Sequence, residues 1–366
     1  MEKKCRRYSG IGGQAVLEGI MMKNQEEYAV AVRKADGDIV VDKGSYAGVL
    51  GGSGIKKIPF VRGIFNFIDS LVLGTRCLNY SASFYEEEEE DAKGGSPVGG
   101  ADGRTKDAAG AMERRKGKED TDDREDKGGG DKVMTVAVTC VAVALAIGLF
   151  IVLPYFLASL FRKYILNRSL ITIIEGVIRI LIFILYIWGI SIMKDVKRLY
   201  CYHGAEHKCI NCIERGKPLT VSNVMRSSRL HKRCGTSFLF FVFFVSIILF
   251  FFIRVDNLWA RVAVRILLMP VVAGISYEII RLAGRSDNIF VSIASAPGMA
   301  IQRMTTKEPD EAMVEVAIAA VEAVFDWKGY LRDNFGYEGE SASEEGGFGD
   351  GPEDGGEEGP IGKGQE

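Results

Sequence analysis

All three histidines of this 366-residue chain, His203, His207 and His231, fall within 29 consecutive residues. Two of them stand in the order His203-Gly-Ala-Glu206-His207, an H-x-x-E-H pattern. Residues four apart share one face of a helix. Both imidazoles can therefore converge on a single metal ion, with Glu206 beside them as a base for an attacking water. In this inverted zincin arrangement the histidines bind zinc and the glutamate takes the proton. Cys209 and Cys212 lie close by, and His231-Lys-Arg-Cys234 follows just before a long apolar run. Imidazole nitrogen and thiolate sulfur are the donors that select zinc. The candidate ligands of a divalent metal, zinc by this donor set, are thus His203, His207, His231 and Cys234, and the candidate catalytic base is Glu206. Four closed protein ligands make a structural site, whereas three and a water make a catalytic one; the spacing is compatible with either. The bland alternative is a solvated basic loop whose His and Cys do nothing.

The elements that must hold this cluster are apolar runs. Val133–Leu153 has no charged residue and its apolar character continues to Phe161; Leu170–Met193 is broken only by Glu175 and Arg179. Ser237–Ile253 is a third run, and Val262–Leu282, carrying Arg265, Glu278 and Arg281, a fourth. Crossing roughly 30 Å of hydrocarbon takes about 17–25 helical residues, so each run predicts a transmembrane helix. The loop between the second and third runs holds ten Lys and Arg, against three and two in the loops on the other side. The positive-inside bias then places the His/Cys loop and both termini in the cytoplasm of a multi-pass cell-membrane protein. Charge inside a membrane is costly and faces a partner or a polar interior. Glu175 and Arg179 have the spacing of a helical ion pair, and Glu278 is a further carboxylate on the side of the histidines.

The overall balance, 46 Lys+Arg against 48 Asp+Glu, excludes a nucleic-acid binder defined by global charge. The balance is also a sum over unlike parts. Residues 86–132 hold 16 acidic and 10 basic side chains, and residues 338–366 hold 10 acidic and one basic. With almost nothing apolar, both stretches are expected to be disordered. The remaining body has 35 basic and 22 acidic residues, and membrane lipids are its expected partners. No apolar h-region follows the basic Met1–Arg7, so no signal peptide is expected. Seven cysteines, an odd number, on a reducing side argue against a disulfide framework.

The expected fold class is mainly α: a polytopic membrane protein with about four transmembrane helices, an N-terminal β-hairpin element and interfacial amphipathic helices. In residues 1–56 the alternation around Asp36-Gly37 predicts the hairpin within 28–50. Gly10–Gly13 and Gly48–Gly54 lack the phosphate-loop spacing and read as turns. Residues 57–85 show helical periodicity with a polar stripe, suited to the membrane plane. Charged loop 86–132, helices one and two in 133–193, His/Cys loop 194–236 and helices three and four in 237–285 follow. The segment 286–336 opens with apolar Ile289–Ile301, which contains Pro297-Gly298 and is too short to span, so a re-entrant or surface-lying path is expected. A helix from Thr306 to about Phe325 with Pro309 in its first turn comes next, and residues 337–366 form the acidic tail.

The stretches GGQAVLEGIMMK (12–23), KIPFVRGIFNFIDSLVLGTR (57–76), YHGAEHK (202–208), HKRCGTSFL (231–239) and TTKEPDEAMVEVAIAA (305–320) resemble the YqhQ-like family of bacterial integral membrane proteins. The resemblance covers most of residues 10–325 and leaves out the acidic linker and tail. It implies a membrane location and a metal-dependent enzyme, with the metal at His203, Glu206, His207, His231 and Cys234. The family's usual HPRCGTSF carries Lys232 here in place of Pro, which leaves both ligand positions intact.

Together these residues predict a metal-dependent hydrolase acting on a lipid or membrane-embedded peptide at the cytoplasmic face. The alternative is a non-catalytic membrane scaffold or membrane-protein biogenesis factor with a structural metal. A homo-oligomer or a membrane-protein partner is compatible with both.

Overall fold

The computed structural model describes residues 7–338 apart from 52, 55–57, 95–128, 254, 256 and 286–288. Its N-terminal part is an antiparallel meander of β1 (Gly12–Val16), β2 (Gly19–Asn24), β3 (Glu27–Arg33) and β4 (Ile39–Ser45), paired in that order. The expected hairpin is its second half, β3–β4, turning at Asp36-Gly37. Two further strands precede it, so Gly12 and Gly13 lie in an edge strand and not in a turn. Two-residue turns at 17–18 and 25–26 join the first three strands, with Glu18 (φ 45°) and Gln25 (φ 56°) in the left-handed region.

Both faces of the sheet are covered. Val16, Met21, Val30 and Val32 pack on Leu73 and Cys77 of α1 (Val61–Gly94). This amphipathic helix continues through the glutamate run at 86–90, beyond the expected boundary at residue 85. The rest of the charged loop falls outside the described residues, as does the acidic tail past Glu338.

Four helices are long and apolar enough to cross a membrane, covering Ala137–Lys163, Ser169–Ile190, Gly235–Phe252 and Trp259–Ala283. The first is built from α2 (Gly129–Ile147), a π-helical turn at Gly148–Val152, and α3 (Leu153–Leu160). The second is α4 (Arg168–Ile190), whose N-cap Asn167 accepts the Ser169 N–H at 3.0 Å. These four helices fit a multi-pass membrane protein. Between the second and third comes α5 (Lys194–Glu214), so the stretch expected as a loop is largely a helix, followed by the short α6 (Val221–Met225). The third and fourth are α7 (Gly235–Phe252) and α8 (Leu258–Arg285).

The short apolar segment forms α9 (Ile289–Thr305), which lies against α7 so closely that a Cβ on Gly298 would stand 3.1 Å from Ser237. Next, α10 (Glu311–Val324) starts where Asp310 caps the Met313 N–H at 2.8 Å. Pro309 therefore precedes the cap and is not in the first turn. The chain closes with α11 (Trp327–Phe335). A core of Ile20, Met22 and Ala31 from the sheet, Ile210 and Ile213 from α5, and Val314, Ala317 and Val321 from α10 anchors α5 between sheet and helix. Each Ile, Met and Val among them contributes about 1.5–3 kcal/mol of transfer free energy.

The expected Glu175–Arg179 pair is present at 3.0 Å within α4, and Arg265 of α8 joins the same carboxylate. Glu278 of α8 pairs with Arg62 of α1 and accepts the Phe60 N–H at 3.3 Å. It ties α1 to α8 and lies outside the histidine cluster.

Candidate metal centre

From Gly204 to Glu214 every residue of α5 is buried, polar ones included. A helix buried all round must satisfy its polar side chains internally, and here they bind the strap that follows α6. Lys208 Nζ donates to the carbonyls of Met225 (2.8 Å) and Ser227 (3.0 Å). Asn211 Nδ2 donates to those of Ser228 (2.6 Å) and Leu230 (3.0 Å). Glu308 adds an ion pair to Lys208 at 2.8 Å and one to Arg229 at 3.2 Å. The strap is thereby fixed along α5, and the next residues bring Cys234 over His203 and His207.

One ligand atom from each of His203, His207 and Cys234 lies within 4.8 Å of the others. The H-x-x-E-H helix of the sequence reading thus does bring both imidazoles together. His203 Nδ1 is 2.9 Å from the Thr305 carbonyl and His207 Nδ1 is 2.7 Å from the Arg229 carbonyl. A carbonyl only accepts, so in both rings Nδ1 carries the hydrogen and donates it. Nε2 is then the atom turned toward the cluster, the usual way in which an outer hydrogen bond fixes the tautomer of a metal ligand. The His203 lock depends on a close approach: a Cβ on Gly204 would meet the Lys307 carbonyl oxygen at 2.0 Å.

Cys234 is the N-cap of α7; its Sγ accepts the Thr236 N–H at 3.4 Å and stands 3.2 Å from His203 Nε2. Burial alone would raise its thiol pKa. The charges and hydrogen bonds of His203 and His207 outweigh burial and hold the thiol well below its ordinary value. Burial would conversely lower His203, but the Cys234 thiolate pushes it up to about 9. Each group thus favours the charged form of the other, and a cation bound here would displace an imidazolium proton.

Glu206 lies on the same turn of α5, with 4% of its surface exposed. Burial pushes its carboxyl above the usual carboxylate range, against the pull of His203 and His207 and a hydrogen bond from the Gly13 N–H. Among the described residues its Oε2 has no hydrogen-bond partner, which costs about 1–3 kcal/mol. Gly13 permits the approach of β1, because a Cβ there would stand 3.0 Å from Glu206 Cδ and nearer still to Met21 and Met22. His203, Glu206 and Cys234 open on a cleft of about 860 Å³ between β1, α1, α5 and the start of α7. The donor set is two nitrogens and a sulfur, on locked tautomers, with an orphaned carboxylate oxygen beside them. It fits a zinc-like ion with one position left open.

His231 is placed differently. Its ring centroid is 5.7 Å from that of His207, and its Nε2 lies 3.5 Å from Glu214 Oε2. Its backbone N–H and carbonyl are both held by Gln302, at 3.0 and 2.7 Å. It supports the strap and is not among the converging donors. Cys209 lies in the core and Cys212 beside the Lys217 and Pro218 carbonyls, and burial raises both thiols. The sequence reading missed Gly13, Gly204, Asn211, Glu214 and Gln302. The signal available was a single amide, Gln302, on the largely apolar α9.

A family model described as "Protein of unknown function (DUF1385)" matches residues 58–327. The chain belongs to this family. The Uncharacterized protein YqhQ of Bacillus subtilis (strain 168) is 35% identical over 312 residues, covering 84% of this chain and 89% of that protein. No solved structure matches. The DUF1385 match contains His203, Glu206, His207 and Cys234. It leaves out the sheet, including the Gly13 that approaches Glu206.

Proposed function

We propose that this protein is a metal-dependent hydrolase that cleaves an amide or ester bond of a membrane-associated substrate. It would work at the membrane boundary where Cys234 begins the third apolar helix. The observation that carries this reading is Glu206, with an unpartnered, buried Oε2, in the wall of a cleft next to three converging donors. A zinc-like ion held by His203 Nε2, His207 Nε2 and Cys234 Sγ would supply Lewis acidity, polarising a carbonyl and lowering the pKa of a water. Glu206, raised by burial, is the proton acceptor; the carbonyls of Thr305 and Arg229 keep the imidazoles in the ligating tautomer. A Cys234 thiolate with one imidazole would also make a nucleophile. Two Nδ1-locked rings aimed at one sulfur favour ligation.

The cleft lining narrows the substrate. Away from the His203/His207/Cys234 cluster, Glu26 and Asp69 outnumber Lys23 there, and Lys23 is spent on the Tyr46 carbonyl at 3.3 Å. Such a surface repels anionic headgroups and accepts an uncharged or cationic chain. This favours a membrane-embedded polypeptide over an acidic lipid. The basic residues between α4 and α7 support a cytoplasmic orientation of the cleft.

The test is a pair of variants in membranes and as purified protein. Glu206→Gln is expected to keep stoichiometric zinc and abolish turnover, read as uncleaved membrane polypeptides by mass spectrometry. His203→Ala is expected to lose the metal. A wild-type protein without stoichiometric metal overturns the proposal. A harmless Glu206→Gln beside a His203→Ala that unfolds the strap assigns the metal a structural role in a scaffold or biogenesis factor.

A further inference from the structure

A second cavity, of about 270 Å³, lies between the start of α4, the end of α7 and the start of α8. The metal cluster sits at the opposite ends of these helices, where α7 begins and α5 follows α4. Glu175 and Arg265 line it, and Arg179 lies behind Glu175; all three side chains have only 4–7% of their surface exposed. Glu175 Oε1 serves both guanidiniums, 3.0 Å from Arg179 and in direct contact with Arg265. Arg179 also donates to the Phe150 carbonyl at 3.0 Å and to Ser246 Oγ at 3.5 Å.

One carboxylate thus faces two buried cations, and the mouth adds more of the same sign. Arg261 and Arg162 both line the cavity and lie over the Tyr155 ring, at 4.6 and 5.1 Å. Arg261 bonds the Val255 carbonyl at 2.9 Å, and among the described residues neither arginine has a carboxylate partner. The site therefore carries an excess of about three positive charges within helices apolar enough to span a membrane, where uncompensated charge is expensive.

We propose that this cavity binds one phosphate group, held by Arg265, Arg261 and Arg162. Guanidinium forks match phosphate oxygens two at a time, and a phosphate offsets more of the excess than a carboxylate does. The apolar part of the lining, Phe250, Phe251 and Val264, gives an attached acyl chain somewhere to lie. A phospholipid headgroup and free phosphate share this chemistry.

The full chain is purified in detergent, stripped of lipid, and titrated separately with phosphatidylglycerol, with diacylglycerol and with inorganic phosphate. Thermal stability and native mass spectrometry are the readouts. Phosphatidylglycerol is expected to bind one per chain and raise Tm, while diacylglycerol does not. Affinity should fall about tenfold or more in Arg261→Gln, and by a smaller factor in the exposed Arg162→Gln. An equal shift from inorganic phosphate assigns a soluble anion; a shift from the lipid alone assigns a headgroup. Helicity by circular dichroism should be unchanged in both variants and reports that they are folded. Equal responses to phosphatidylglycerol and diacylglycerol with none to phosphate, or wild-type binding by folded Arg261→Gln, overturns the site.

Discussion

Replacing Gly204 with Ala tests whether the proposed metal site depends on how closely α5 lies against the segment leading into α10. The added Cβ would fall 2.0 Å from the Lys307 carbonyl oxygen, well inside van der Waals contact. Backbone cannot step aside as a flexible side chain does, so α5 and the 305–307 segment must part by about an ångström or more. Two bonds span this contact: Lys307 N–H to the Tyr200 carbonyl at 2.9 Å and His203 Nδ1–H to Thr305 at 2.9 Å. An added ångström takes both beyond hydrogen-bonding range. Overpacking of this kind costs about 1–3 kcal/mol of stability. Losing an outer hydrogen bond to a ligating histidine lowers metal affinity about 10–100-fold. The assay is zinc affinity by chelator competition on protein purified in detergent, with helicity followed by circular dichroism. Gly189→Ala is the control, since a Cβ there meets nothing within 4 Å. A folded Gly204→Ala protein binding zinc as tightly as Gly189→Ala would show that the Thr305 lock is irrelevant and refute the reasoning.

Glu206→Gln should also raise Tm at neutral pH. A carboxyl whose pKa is raised on folding loses stability as pH climbs above its unfolded value, so an amide removes that penalty; an unchanged or lower Tm contradicts the burial argument. Zinc affinity should rise with pH up to about 9, where His203 gives up its proton, by about tenfold per unit for one proton released; isothermal titration in buffers of different ionisation enthalpy counts that proton. Iodoacetamide should modify Cys234, which lines the cleft with a lowered thiol pKa, before Cys209 and Cys212. Zinc should block that reaction, as mapped by peptide mass spectrometry. Gln302→Leu leaves the His231 N–H, the His231 carbonyl and Ser237 Oγ without their partner and should cost about 3 kcal/mol or more, read as a loss of Tm.

The spans and the His203–Glu206–His207 face were legible because length and periodicity alone decide them. The ligand set was not legible. His231 is as near to Cys234 in sequence as a ligand would be, but its ring turns to Glu214 and its backbone to Gln302, a residue 71 positions away. Direction of that kind is set by tertiary packing. The first two strands escaped notice because Glu18 and Gln25 occupy left-handed turn positions where Gly or Asn would have announced a hairpin. The glutamate run after residue 85 reads as a solvated tract, yet Glu is a good helix former and α1 continues through it. Gly13 and Gly204 carry no signal in a single sequence, since what they permit is an approach by residues far along the chain.

Two of the three converging donors belong to α5, while the third caps the helix laid down after it. During synthesis, a nascent chain that has emerged only as far as α6 holds both imidazoles and no thiolate. A cation held by all three donors would therefore require Cys234 to be fixed at the start of α7. On the proposed metal reading, occupancy of the site would report that α7 is in place.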